Sequence, residues 1–445
     1  MKYLVWFLTV VCVVQAKEFF LPQDMYPYLN KKNPFYYQAI GKQYIAKGKE
    51  RVARGALDTQ LNASYDNKRY PITSGSYGEM GFLKPMSNGI EVSLGYRRAQ
   101  GTQEYNNIKT GKDGELISSI KIPFFSVLND ISQNKVVIET ATLSTLQEKH
   151  QSAFNVLGLY FNITKIYYQL LLQKQLVFTQ KALVKKAKKT EKFINQQIKT
   201  GTLPEVMRIE IQQIIMQRQQ AYIYEKNNFH MVKNVLLQYL GIEMYHFDKQ
   251  YKLPLLKQNN KSLPTLHNAL KRAIKNRPDL KVIDVEVEKL ALQKEYNKLA
   301  AYPKFDMKFS TIYDPIYEEG YKVSLNFNIP IERNKYRGRE EVLQKQNLLI
   351  QSEKLKSIRE LKTNIANVYQ KIKTKKEEIG FLKKELHLAH KLERVEIKKI
   401  HEGIGNLMFL NQREIASLQV KQKLLKSYYD LETYFLEVDY LLGIL

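Results

Sequence analysis

Few residues in this chain have the types and spacing that could do chemistry. His387 and His390 stand three apart with Glu385 beside them, which on a helix puts both imidazoles on one face as a two-ligand metal pair would need. No third ligand follows at helical spacing, so the pair reads as exposed polar surface. There is no glycine-rich phosphate loop, no Gly-x-Ser-x-Gly elbow and no helical His-Glu-x-x-His. Carboxylates are plentiful, but nothing in the sequence pairs two of them in an apolar pocket. The one cysteine, Cys12, falls inside an apolar N-terminal run. A mature chain without it has no disulfide scaffold, zinc-thiolate site or thiol catalysis. The chain reads as no enzyme, with no cofactor and no metal.

The elements around these absences say more. Met1-Lys2, an apolar run from Tyr3 to Val14 and then Gln15-Ala16 predict a signal peptide over residues 1–16, cut after Ala16. A run of about 12 apolar residues is too short to span a bilayer core of roughly 30 Å. No later stretch offers 18 uninterrupted apolar residues, so no transmembrane helix is expected. A lipoprotein signal at Cys12 is disfavoured by Val11, where a small residue is wanted. An exported chain without an anchor is soluble or a barrel. The formal charge of +26 falls to +25 (26 − 1) once Lys2 is removed with the signal. These lysines are spread along helical stretches and mixed with Glu and Gln, so they read as solvated faces, with no nucleic acid partner.

From Pro303 to Pro330 the period changes to two. Phe305, Met307, Phe309, Thr311 and Tyr313 alternate with Lys304, Asp306, Lys308 and Ser310; after Asp314-Pro315, Tyr321, Val323, Leu325, Phe327 and Ile329 alternate with polar residues. A half-buried soluble sheet gives this pattern, and so does a membrane barrel strand, apolar outside and wet inside.

Taken in order, Pro34 to Arg54 predicts a helix stopped at Gly55. Alternation at Leu57–Asp66 and Ile90–Arg97 predicts strands, with a tight turn at Asn88-Gly89. Weaker strands fit Tyr77–Pro85 and Glu115–Phe124, and Gln100 to Gly114 reads as a surface loop. Ser126 to Lys199 predicts one unbroken helix, closed by Gly201-Thr202-Leu203-Pro204 and returning from Glu205 to Tyr239. Gly241 to Leu263 is a connector. Helices then start at Leu263-Pro264 and Asn276–Leu280, the Pro303–Pro330 hairpin follows, and a second long helix runs Asn334 to Glu402. Leu361, Ile365, Val368, Ile372, Ile379, Leu382, Leu386 and Ala389 give it a heptad seam that skips Lys375. Gly403-Ile404-Gly405 breaks it, and Asn406 to Leu442 returns. The expected organisation is two internal repeats, residues 17–262 and 263–445, each with strands and a coiled-coil hairpin. A hairpin too short for its own sheet and a long helix too polar to be buried alone both need neighbours, which argues for a closed assembly of several chains.

At this point the chain resembles the TolC-like outer membrane efflux family. The resemblance rests on the duplicated layout, Asn-Arg-Pro-Asp-Leu at 276–280, Arg337-Gly338, the two glycine turns and the closing Gly443-Ile444-Leu445. It implies a fold mainly α with β: a homotrimer with a transmembrane β-barrel in the outer membrane, continuous with a long α-helical coiled-coil barrel in the periplasm. It implies an exit duct for an inner-membrane transporter joined through a periplasmic adaptor protein, for small-molecule efflux or type I protein secretion. A structural periplasmic coiled-coil protein is the alternative of a different class.

Two departures from the family matter. Where relatives carry acidic residues after the second glycine turn, this chain has Phe409 and Gln412, with Met207 and Glu210 in the first repeat. These four are the expected pore constriction, in which Phe409 or Met207 would form an apolar ring that gates by dewetting, or else they pack between helices. The expected adaptor-docking tip is Gly201, Leu203, Pro204, Gly403, Gly405 and Asn406. The strand count is the second departure. Leu57 to Phe124 has room for four strands, six per protomer in all; we expect four per protomer, which keeps the repeats symmetric and leaves Ile72 to Ser87 as loop or side hairpin.

Overall fold

A computed structural model describes residues 18–71, 74–101, 108–402 and 404–444. The expected signal peptide and Gly403 lie outside the described residues. In chain order the elements begin with β1 (Glu18–Phe19), a 3-10 turn at Pro22–Tyr28, α1 (Pro34–Arg54), β2 (Gln60–Arg69), β3 (Ser74–Pro85), β4 (Glu91–Gly101) and β5 (Glu115–Pro123). Then come α2 (Phe124–Leu128), α3 (Gln133–Lys199), α4 (Val206–Leu240), α5 (Met244–Gln250), β6 (Tyr251–Lys252), α6 (Leu266–Asn276) and α7 (Pro278–Leu299). The chain ends with β7 (Lys304–Asp314), β8 (Glu318–Asn328), α8 (Asn334–His401) and α9 (Leu407–Leu442). With 67 and 68 residues, α3 and α8 are each about 100 Å long.

Compactness divides the chain differently from the two sequence halves, because each unit takes pieces of both. One unit holds the described residues up to Ala39, Asn155–Asn276 and Leu361–Leu445; the other holds Ile40–Phe154 and Arg277–Glu360.

The first unit is helical and owes its core to apolar seams. On α8 the expected positions Leu361, Ile365, Val368, Ile372, Ile379 and Leu382 are buried. Lys375, at the skipped position, has its ammonium 2.7 Å from Glu378 and 3.3 Å from Asp430 of α9, so the charge in the seam is compensated. The stretch expected as a plain connector is structured. Its Tyr251–Lys252 pairs in parallel with Glu18–Phe19, and Phe20 is fully buried against Phe247 and Tyr251, at ring distances of 5.0 and 4.9 Å. Tyr167 donates to the Phe20 carbonyl at 2.7 Å. Aromatic burial, which no short-range periodicity reports, drives this closure.

On α9, Glu432 is buried beside Tyr168 and accepts from Asn259 at 3.0 Å. Burial pushes its carboxyl up from the ordinary value, and Asn259, Tyr168 and Lys261 offset this only in part. A raised carboxyl binds its proton more tightly when folded. Its contribution is therefore present below the unfolded value and is lost as pH rises through the folded one. Glu432→Gln is expected to flatten this loss, so the variant gains melting temperature relative to wild type between pH 5 and 8. Equal shifts at pH 4 and pH 8 would refute it.

The second unit is built on a six-stranded sheet of order β2-β3-β4-β5-β7-β8, every neighbour antiparallel. The expectation of four strands is thus corrected: Ser74–Pro85 is a full strand. Its alternation is masked by Gly75, Gly78 and Gly81, and the glycines have a packing reason. A Cβ on Gly81 would lie 2.8 Å from the Gly95 Cα on β4. Asn88-Gly89 forms the expected tight turn, with Gly89 at φ 90° and Met86 N–H donating to the Ile90 carbonyl at 2.8 Å.

The expected helix from Ser126 to Lys199 is broken, a second correction. The chain stops after Leu128, passes Asp130 at φ 49°, and restarts where Ser132 Oγ accepts from Lys135 N–H at 3.1 Å. The same hydroxyl donates to the Ser87 carbonyl, and a Cβ on Gly89 would meet Ser132 Cβ at 3.3 Å. The β3–β4 turn packs against the break, a contact across some 45 residues that helix propensity cannot register. Asn-Arg-Pro-Asp-Leu proves to be a helix start. Pro278 takes the first turn, and Arg277 forks onto Asp279 at 2.8 and 2.7 Å while lying 5.5 Å over the Phe154 ring.

Candidate functional site

The register divides the sheet into two faces. Paired residues share a face, so Leu61↔Phe82, Ala63↔Met80, Phe82↔Leu94 and Met80↔Tyr96 lie on one side. The same side carries Leu94↔Ser118 and Val92↔Ile120, then Ile120↔Phe309, Phe309↔Val323 and Met307↔Leu325. Phe82, Leu94, Phe309, Val323 and Leu325 are 54%, 57%, 44%, 52% and 64% exposed, so nothing among the described residues covers this face. A patch running across all strands of the sheet far exceeds what soluble monomers leave bare. The opposite face is polar. There Arg97 bonds Glu115, Lys121 stands 3.3 Å from Glu91, and Ser119 donates to Ser310 at 2.9 Å. The outer strands β2 and β8 pair on one side only, leaving two open edges of 10 and 11 residues.

The other site is the pair of helix turns in the first unit. Gly201 sits at φ 73°, donating to the Ile198 carbonyl at 3.0 Å, and its conformation is one that a side chain resists. Leu203 and Met207 are half-buried against Ala187, Ile194, Ile211, Ile215, Ile400, Leu407 and Leu410. Pro204 is exposed, and its carbonyl accepts from Met207 N–H at 3.2 Å as α4 begins. Gly405 is required by close packing, since a Cβ there would stand 2.5 Å from the Ile400 nitrogen. Asn406 caps α9, its side chain accepting from Met408 N–H at 2.7 Å. Asn406→Ala is expected to cost about 1 kcal/mol and to speed amide exchange in the first turn of α9; unchanged exchange at Met408 and Phe409 would refute the cap.

Of the four expected constriction residues, Met207 packs into this tip core, whereas Glu210, Phe409 and Gln412 are exposed, Phe409 by 56%. Sequence reasoning missed the polar contacts just behind them. Arg218 of α4 donates to Glu414 at 2.5 Å and Asn411 at 2.8 Å, both on α9, and to the Leu183 carbonyl of α3 at 3.4 Å. Both side chains of the ion pair are under a tenth exposed. Lys186 of α3 pairs with the buried Glu393 of α8, whose other oxygen is 3.3 Å from His390. Burial alone would push the Glu393 carboxyl up, but the bond and charge of Lys186, with His390 and Ser417, hold it below its ordinary value. A signal existed: Arg218 and Glu414 continue the seams Ile211–Ile215 and Leu407–Leu410 at helical spacing, charges where apolar residues belong. His390 also lies 3.1 Å from Ser417, while His387 is exposed. Among the described residues no group of three or more His, Cys, Asp or Glu could hold a metal ion, and no helix is long and apolar enough to cross a membrane.

No protein-family model and no curated protein matches the sequence. Solved structures do match. The outer membrane protein VceC of Vibrio cholerae aligns over 95% of this chain and 96% of its own, with TM-score 0.71 at 13% identity. The open-state MtrE outer membrane channel of Neisseria gonorrhoeae aligns over 95% and 89%, with TM-score 0.71 at 12% identity. The CmeC outer membrane channel of Campylobacter jejuni aligns over 95% and 85%, with TM-score 0.68 at 11% identity. The chain thus has the fold of the TolC-like outer membrane channels.

Proposed function

We propose that this protein is the outer membrane exit duct of a tripartite efflux system, exporting small molecules passed to it by an inner-membrane pump through a periplasmic adaptor. The observation that carries the reading is the uncovered apolar face running across all six strands, backed by a polar face in register. Lipid covers such a face without cost, whereas water does not. Two open edges in a bilayer would leave N–H and C=O groups unpaired, so the strands of several protomers must close into one barrel. Three protomers give 18 strands, in the range whose interior is an aqueous channel. In this reading the helices line the periplasmic duct. Gly201, Leu203, Pro204, Gly405 and Asn406 form the tip on which the adaptor docks, and Phe409, Glu210 and Gln412 face the constriction. The function is conduction, not catalysis, in line with similarity to channels.

Membrane fractionation tests it. The protein should be in the outer membrane, as an oligomer of three that dissociates on heating, and should conduct ions in planar bilayers. A soluble periplasmic oligomer would overturn the duct in favour of a structural coiled coil. Secretion of a protein substrate, with no change in small-molecule resistance on deletion, would move the cargo to type I secretion.

A further inference from the structure

We infer that the base of hairpin β7–β8 binds the headgroup of an anionic phospholipid, a site that rests on reading the sheet as a membrane barrel wall. The apolar face ends there in rings. Phe305 and Phe327 are 6.0 Å apart, Phe124 stands edge-on to Phe305 at 5.7 Å, and Phe125 stacks on Tyr302 at 5.5 Å. Eight strand steps separate Phe305 from Tyr313, about 26 Å along the strand. At a barrel strand's tilt of about 40° that is a rise of roughly 20 Å, most of an apolar band about 25 Å tall whose borders carry aromatic girdles. The ring cluster therefore marks one border of the hydrocarbon.

Just past that border the chain turns strongly basic. Arg333, Lys335, Arg337 and Arg339 put four cations into seven residues at the start of α8. Arg333, Lys335 and Arg339, with Lys304, Tyr302 and Tyr336, line an open cavity of about 400 Å³, to which Asp306 supplies the carboxylate. All four cations of the run are exposed, and among the described residues none of them forms an ion pair. Arg333 also holds a left-handed backbone, φ 53°, with its carbonyl accepting from Arg337 N–H at 3.0 Å.

Unpaired guanidinium groups beside aromatic rings are fitted to a phosphate with an apolar body. The forks grip two oxygens, the free N–H groups of the helix start favour negative charge, and the rings lie along acyl chain. At the hydrocarbon border that phosphate is a lipid headgroup. The site would hold each protomer at a fixed depth in the bilayer.

Native mass spectrometry of the full chain, purified in detergent and exposed to phosphatidylglycerol or phosphatidylcholine, tests it. The wild type should retain phosphatidylglycerol selectively. Arg333→Gln with Arg339→Gln should lose about thirtyfold in that affinity, two charges at about 1 kcal/mol each. Arg333→Lys with Arg339→Lys should stay within a few-fold, and Lys384→Gln with Lys391→Gln, further along α8, should change nothing. Equal retention of both lipids, or undiminished retention by the glutamine pair, overturns the site. So does displacement by millimolar inorganic phosphate, which would make it a free-anion site. Should the glutamine pair not assemble, the wild type's own lipid preference decides. A wild type that never reaches the outer membrane defeats the barrel reading first. One that inserts but keeps no phosphatidylglycerol defeats the headgroup site alone.

Discussion

Glu414→Ala should destabilise the tip of the helical unit by about 3–5 kcal/mol, the cost of leaving a buried cation without its counter-ion. Arg218 would keep Asn411 and the Leu183 carbonyl, both neutral acceptors, but lose the 2.5 Å bond to a carboxylate that is itself hardly exposed. The effect should be local, because the pair ties α4 to α9 next to the tip core of Ile211, Ile215, Leu407 and Leu410. Amide exchange around these residues should accelerate more than a hundredfold, while the core around Phe20 and Phe247 stays protected. Arg218→Met combined with Glu414→Leu replaces the pair by apolar groups of similar size and should recover most of the loss. In the proposed duct the single variant should also raise conductance, since these bonds hold neighbouring coiled coils together. A single variant with wild-type exchange at the tip would sink the argument.

Val323→Arg should cost about 2–4 kcal/mol of membrane stability, the depth-dependent price of a cation at the centre of a lipid-facing wall. Val323 pairs with Phe309, midway between the Phe305 and Tyr313 ends of the apolar face, and is 52% exposed. Its neighbour Ser324 points the other way, opposite Lys308, which already carries a cation on the polar face. Ser324→Arg should therefore assemble normally and change only conductance. Yield of the heat-modifiable oligomer in outer membrane fractions reads both variants. Equal yields would mean that the apolar face does not meet lipid, and the barrel reading would fail with it.

The two variants test features that differed in how far they could be read in advance. Alternation from Phe305 to Ile329 is local, since each residue's face follows from its parity, and the structure keeps that hairpin and its turn at Asp314-Pro315. The seam Leu361–Leu382 and the helix break at Gly201 were legible because they too are local. Strand β3 was legible only as a weak strand at Tyr77–Pro85, which the favoured count set aside as loop or side hairpin. Its glycines are set by the approach of Gly81 to Gly95, and a glycine has no polarity with which to report a face. The break before α3 escaped because Ser132 answers to Ser87 on a distant turn. Met207 read as equally suited to a constriction or to packing, and the structure shows it half-buried against Ile211 and its neighbours.

By itself, then, the sequence determined what repeats within a few residues: most of each long helix, the alternating strands, their turns, the glycine breaks and the lack of catalytic motifs. Only the tertiary structure decided what depends on residues far apart. It joined six strands in one sheet, sealed Phe20 under Tyr251 and Phe247, and set Arg218 on Glu414. The physical reason is that periodicity encodes which face of an element is apolar, whereas the partner that covers a face, or compensates a buried charge, is chosen by packing across the fold. Among the described residues the apolar wall around Phe309 and Val323 has no such partner, and that bare face is what points the molecule to a membrane.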